Sequence, residues 1–314
     1  MTPQSSNPIT FTIIVNNYNY GRFLDGAIQS ALNQTHPDVE VVVVDDGSTD
    51  ESREIVAGYG DKVVTVLKEN GGQGSAFNAG FVASRGEWIL FLDSDDLFAP
   101  NKVESLVSYV QRFPSAGIIA HNLKYSDEET KPLTPSASAI GALRLVDERR
   151  LVRQGRLTSF LPATSALAVK RSILSMILPM PEDIAITADN YVKFAALSLA
   201  PALLIPDQLA IQRIHGGNAY TRFTHTDDSR LEQYHISAKI AFHLKERFPH
   251  LSKLVWKQYG RMLFQLSNSG SPDTKRIREK IHSEYSPFEY SPLCCFYVWG
   301  AFVKSLVRDR FKTQ

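Results

Sequence analysis

Short apolar runs alternate with polar turns and amphipathic stretches over roughly the first 120 residues. Phe11 to Val15 (FTIIV) is a β-branched run and predicts a buried strand. A turn cluster follows from Asn16 to Gly21, after which Phe23, Leu24, Ala27, Ile28, Ala31 and Leu32 recur at helical spacing. Val39 to Val44 predicts a second strand that ends in Asp45-Asp46-Gly47. Ser48, with Glu51 three residues on, fits a capping box and predicts a helix from there. Val63 to Leu67 reads as a third strand, Asn70 to Gly74 as a glycine-rich loop and Ser75 to Ser84 as a helix. Trp88 to Leu92 is a fourth strand, apolar on both faces, and it ends in Asp93-Ser94-Asp95-Asp96. A helix from near Pro100 to about Phe113 and a fifth strand over Ala116 to Ala120 complete the pattern.

This alternation predicts a parallel, doubly wound α/β sheet with helices on both faces. Ligands of such sheets bind at the carboxyl ends of the strands. Beyond Ser126 the pattern weakens: Pro132 to Ser138 has loop composition, and Leu143 to Gly155 reads as a charged amphipathic helix. A helix is expected from near Asp189 to Ala200, and two more, with basic faces, over Ser229 to Phe248 and Leu251 to Leu266.

Composition changes this picture in three ways. The 314 residues exceed the usual size of one domain, so an appended region is expected. The 34 basic and 33 acidic residues give no argument for a nucleic-acid partner. They are unevenly placed, however. Residues 238–314 hold 14 basic and 6 acidic side chains, and residues 1–237 hold 20 and 27. The two cysteines, Cys294 and Cys295, are adjacent and cannot form a disulfide framework, which points to a reducing, cytoplasmic setting. No signal peptide is expected, since the first ten residues lack Lys, Arg and a long apolar core. No apolar run reaches the ~20 residues that span a bilayer.

The chemistry lies at the strand ends. Asn16 and Asn17 end the first strand, Asp45 and Asp46 the second, and Asp93, Asp95 and Asp96 the fourth. A parallel sheet brings these to one edge, where clustered carboxylates need solvent or a cation. Hard carboxylate oxygens suit Mg²⁺ or Mn²⁺, with substrate phosphates completing the shell. Either aspartate doublet alone reads better as a helix cap; together, each after an all-apolar strand, they point to a site.

Four segments in register resemble the nucleotide-binding half of family 2 glycosyltransferases, which invert and have the GT-A fold. They are Thr12 to Thr35 (TIIVNNYNYGRFLDGAIQSALNQT), VVVVDDGSTD (Val41 to Asp50), ENGGQGSAFNAGF (Glu69 to Phe81) and SRGEWILFLDSDD (Ser84 to Asp96). The resemblance implies a GT-A catalytic domain over 1–225, with a nucleotide-sugar half (1–122) and an acceptor half (123–225), followed by a basic helical region over 226–314. Asp93-Ser94-Asp95 matches the family's DxD motif, which implies that Asp95 ligates the metal and that Asp93 and Ser94 line the donor site. Asp46 matches the carboxylate that pairs with the nucleotide base, with Asp45 beside it, and Asn16 and Tyr18 match the turn that packs on that base. Asn78 and Gly80 match the "RN.G" segment, but Phe77 stands where an arginine is common. Asp189 resembles the position of the general base; read alone, it also suits a helix N-cap. Arg213-Ile214-His215 resembles the family's "RxH" segment, which implies a second metal ligand in His215, with Arg213 and Arg222 near the phosphates. A metal-dependent transfer from a nucleotide-sugar, most simply a UDP-sugar, to a saccharide or lipid-linked saccharide is the expectation.

Two other readings use the same residues: a metal-dependent nucleotidyl- or phosphotransferase, and a binding-only domain. The absence of a phosphate loop weighs against the first and the intact aspartates against the second. Near the C-terminus, eleven apolar residues (Leu293 to Val303) precede Lys304, Arg308, Arg310 and Lys312. They read as a docked terminal helix or as a peripheral membrane contact over 293–312.

Overall fold

The computed structural model describes residues 9–133, 140–159, 161–218, 227–257 and 259. Along the chain run β1 (Phe11–Asn17), α1 (Gly21–Leu32), β2 (Val39–Asp45), α2 (Ser52–Ala57), β3 (Val64–Leu67), α3 (Gly72–Ala83), β4 (Trp88–Asp93), β5 (Leu97–Phe98) and α4 (Lys102–Arg112). They continue through β6 (Ile118–Ser126), β7 (Pro132–Leu133), β8 (Arg144–Val146), α5 (Arg149–Arg153), β9 (Leu167–Lys170), α6 (Arg171–Ile177), α7 (Ala188–Leu199), β10 (Ala202–Arg213) and α8 (Asp227–Arg247).

The described strands form one sheet in the order β3-β2-β1-β4-β9-β6-β10-β5, with β7 on β6 and β8 on β10. The stretch β3-β2-β1-β4 is parallel, as the alternation of strand and helix predicts. β9 then enters antiparallel between β4 and β6, so the sheet is mixed beyond β4. Its four residues (LAVK) follow a loop and a single 3-10 turn (Thr164–Ala166), so sequence periodicity gave no sign of this insertion.

The continuous apolar strands are buried on both faces because successive side chains point opposite ways. Ile13, Val15, Val41, Val43, Leu90 and Leu92 share one core with Leu24 and Ile28 of α1 and Val103 and Leu106 of α4. On the other face α3 comes very close: a Cβ at Gly80 would stand 2.6 Å from Ile14 Cγ2 and 3.1 Å from Val44 Cγ2. Phe77, in the position where the family often carries arginine, is fully buried there with its ring 4.4 Å from that of Phe91.

Two local expectations are corrected. The capping box at Ser48 does not form: α2 begins at Ser52, and Ser48 Oγ instead accepts from Asn19 N–H at 2.9 Å and Asn17 Nδ2 at 3.1 Å. The single helix expected over 143–155 splits, because residues 144–146 pair with the edge of β10 and only 149–153 are helical. Strand pairing satisfies backbone groups that a marginal helix would leave to solvent.

The chain divides into two compact units, Met1–Asp147 with Phe160–Tyr220, and Glu148–Ser159 with Thr221–Gln314. The first holds the sheet. In the second, Lys257 Nζ donates to Gly155 O at 3.0 Å, and the buried Glu148 accepts from Thr158 Oγ1 at 2.5 Å and Ser159 Oγ at 2.7 Å. Among the described residues no helix is long and apolar enough to cross a membrane. Arg222, Cys294, Cys295 and the 293–312 segment lie outside the described residues, as do residues 134–139.

Candidate active site

The register of the parallel strands builds the site. β1 lies between β2 and β4, with Asn17 opposite Asp45 and Asn16 opposite Asp93. Adjacent residues of a strand face opposite sides, so the two asparagines serve different carboxylates. Asn16 Nδ2 donates to Asp93 Oδ1 at 2.8 Å, and Asn17 Nδ2 to Asp45 Oδ2 at 3.0 Å.

Asp45 is fully buried and also accepts from Ser48 N–H at 3.0 Å and Arg53 Nε at 3.1 Å. Burial raises its pKa, but these donors together outweigh burial and hold it below the ordinary value. Asp46 accepts from Gly71 N–H at 3.0 Å, Gly72 N–H at 2.7 Å and Lys68 Nζ at 2.6 Å. It therefore ties the end of β2 to the start of α3. Tyr18, in the turn after β1, is about half exposed.

After β4 the chain turns sharply. Asp96 N–H donates to Asp93 O at 2.9 Å, and Ser94 N–H to Asn16 O at 3.2 Å. Ser94 is buried, and its hydroxyl has no partner among the described residues. Asp95 Oδ2 accepts from His215 Nε2 at 3.1 Å and Asn218 Nδ2 at 3.0 Å. Gly217 N–H donates to His215 Nδ1 at 3.1 Å, so the ring proton sits on Nε2 and points at Asp95. Arg213 is buried; its Nε donates to Asp95 O and its N–H to Asp96 Oδ1 at 3.1 Å. Here this arginine braces the turn.

The turn is short of positive charge. Burial, then the neighbouring Asp95 charge and, further off, Asp189, push Asp93 up to about 7 against the donation from Asn16. Burial, then Asp95 and Asp93, also push Asp96 well up, and Asp96 Oδ2 has no partner among the described residues. Lys102 is fully buried beneath, donates to Ser165 O at 2.8 Å and lies 3.3 Å from the centre of the Phe98 ring. Burial drives its pKa far down, opposed by Asp96.

Asp189 lies in the first turn of α7 and is not its N-cap, which is Thr187. Its Oδ2 accepts from Lys193 Nζ at 2.5 Å, with both side chains about nine-tenths buried. It is within electrostatic reach of Asp93. The fold thus gathers Asn16, Asp93, Ser94, Asp95 and His215 at one strand edge and brings Asp189 near. Asn78 is directed elsewhere: it donates to Met180 O at 2.9 Å and accepts from Met180 N–H at 2.8 Å, clamping the backbone before α7.

Among the described residues no group of three or more His, Cys, Asp or Glu side chains could hold a metal unaided. The under-neutralised carboxylates still fit a hard divalent ion that draws its remaining oxygens from a ligand. No local pattern singled out Ser165, or assigned a role to Asn218 or Gln73. Lys102 did leave a trace, since a lysine in a first helical turn opposes the helix dipole.

The family model described as glycosyl transferase family 2 matches residues 12–177. The uncharacterized glycosyltransferase alr2836 of Nostoc sp. is 38% identical over 212 residues, which span 66% of this chain and 65% of that protein. S. aureus TarS 1–349, solved in complex with UDP-GlcNAc, superposes with a TM-score of 0.64 at 17% identity, covering 94% of this chain and 88% of that one. Mannosyltransferase PcManGT from Pyrobaculum calidifontis, solved with GDP-Man and Mn2+, gives a TM-score of 0.50 at 18% identity over 97% and 88% of the two chains. The mixed sheet with its covering helices is the GT-A fold, and the chain belongs to glycosyl transferase family 2.

Proposed function

We propose that this protein is an inverting glycosyltransferase that moves a sugar from a nucleoside diphosphate donor, a UDP-sugar, to a hydroxyl of a saccharide or lipid-linked saccharide. The observation that carries this reading is that Asp93 and Asp95 close β4 and its turn, while Gln73 joins Asp93 to the first turn of α7, where Asp189 lies. The acceptor oxygen attacks the anomeric carbon as the bond to the diphosphate breaks, and the acceptor proton passes to Asp189. Lys193 occupies Oδ2 of Asp189 at 2.5 Å and leaves Oδ1 for that proton. Asp95, aided by Asp93, would hold Mn²⁺ or Mg²⁺, which supplies positive charge opposite the departing diphosphate. Because His215 turns its Nε2 proton on Asp95, we assign it to positioning that ligand. Asn16, Tyr18, Asp45 and Asp46 shape the nucleotide side, and Asn78 acts at one remove through Met180. UDP-GlcNAc in TarS and GDP-Man with Mn2+ in PcManGT support a nucleotide-sugar donor and a divalent ion. We further infer that the catalytic domain extends to about residue 225 and that a basic helical region follows it, whose 293–312 segment is either a docked terminal helix or a peripheral membrane contact.

A thermal-shift panel of UDP, GDP, dTDP and CDP, each with and without Mn²⁺, tests the donor site. UDP with metal should stabilise the chain by about 2.7 kcal/mol at ~100 times its Kd. Asp95→Asn should remove the metal-dependent part, and Asp189→Asn should leave it intact. No shift with any nucleotide, or the same shift without metal, would sink the reading.

A further inference from the structure

One side chain touches both halves of the site. Gln73 Nε2 donates to Asp93 Oδ1 at 3.3 Å, while its Oε1 accepts from Ala188 N–H at 2.9 Å. Ala188 opens α7, and its N–H has no partner within that helix. Thr187 provides no side-chain cap, so Gln73 acts as the cap from a distant element. The backbone repeats the connection: Gln73 N–H donates to Ala185 O at 2.7 Å, and Gly74 N–H to Ile184 O at 3.2 Å.

Two backbone features show how tightly this junction is made. Gly72 has φ +83°, and a Cβ on it would stand 2.4 Å from Ala185 Cα, so no larger residue permits the approach. Thr187, next to Ala188, is held at φ 52°, a conformation that β-branched residues seldom adopt. The segment entering α7 therefore depends on contacts from outside itself. An amide suits the junction because it donates at one end and accepts at the other, which neither a carboxylate nor an ammonium can do.

We propose that Gln73 is a positioning residue that couples the donor carboxylate Asp93 to the first turn of α7, where Asp189 lies. This inference rests on the proposed roles of Asp93 and Asp189. Its consequence is that occupation of the donor side orders the base before an acceptor arrives. Small displacements of a reacting group are costly to rate, so such a link would matter for turnover without contacting the sugar.

Amide hydrogen exchange over residues 184–193 of the full chain tests it, with and without UDP and Mn²⁺. In the unaltered chain, UDP with Mn²⁺ should slow exchange in this segment at least threefold. Gln73→Met keeps the length of the side chain but neither hydrogen bond. It should raise basal exchange severalfold and abolish the UDP-linked slowing, with the affinity for UDP changed less than threefold. Gln73→Glu keeps the acceptor for Ala188 N–H and loses the donor to Asp93. It sets a second carboxylate beside Asp93, so basal exchange should rise less than in Gln73→Met and the UDP-linked slowing should still be lost, which a purely structural role would not predict. Equal UDP-linked slowing in Gln73→Met and the unaltered chain would overturn the inference alone. Failure of the unaltered chain to bind UDP with Mn²⁺ would overturn the donor reading, and this coupling with it.

Discussion

Asp45 illustrates how a buried carboxylate can stabilise the chain and still stand beside the candidate site. Ser48, Asn17 and Arg53 hold it ionised although it has no exposed surface. Its folded pKa lies below the ordinary 3.8, so it contributes stability at neutral pH. That contribution is complete above the unfolded value and fades as pH falls through the lower folded one. Asp45→Asn should therefore lose roughly 1–3 kcal/mol at pH 7, the usual scale for hydrogen bonds to a charged group. Urea melts at pH 7 and pH 3 check this: the gap between variant and parent should shrink in acid, and a constant gap would mean that the charge is irrelevant. The carboxylates themselves were legible in the sequence, because each ends an apolar run long enough to be a strand. Their partners were not, since Ser165 and Asn218 meet Asp93 and Asp95 only after the chain has folded back.

α3 shows what an element requires of one residue. It lies so close on β1 and β2 that Gly80 faces Ile14 and Val44 with no room for a methyl group. Gly80→Ala gains helix propensity of about 1 kcal/mol, but overpacking a dense core costs about 1–3 kcal/mol. A net loss of up to about 2 kcal/mol is expected, read as a lower urea midpoint at unchanged slope. A stabilised variant would mean that Ile14 can move aside. The local pattern placed α1, α3, α4 and α7 within a few residues of their observed positions, and α1 and α4 each bury an apolar face. It failed at α2, where Ser48 serves the turn below Asn19, and at 143–155, where the edge of β10 captures three residues. In both places a nonlocal partner outbid a weak local signal.

The whole molecule divides its charge as it divides its mass. Residues 238–314 carry 14 basic and 6 acidic side chains. Such an excess draws a chain to anionic lipid with about 1 kcal/mol for each basic group near the surface, and salt screens the attraction. The full chain should sediment with phosphatidylglycerol vesicles and not with phosphatidylcholine vesicles, and about 0.3 M salt should release it. Binding to neither at low salt would remove the proposed membrane contact. The sequence by itself determined the strand-forming core, the carboxylates at the strand ends and the family, because these depend on local composition and on motifs in register. Tertiary structure alone decided the antiparallel entry of β9, the clamp of Asn78 on Met180, the proton that His215 turns on Asp95 and the bridge of Gln73 between Asp93 and α7. Each of these is a hydrogen bond between segments far apart in the chain, and no local pattern of residues encodes such a meeting.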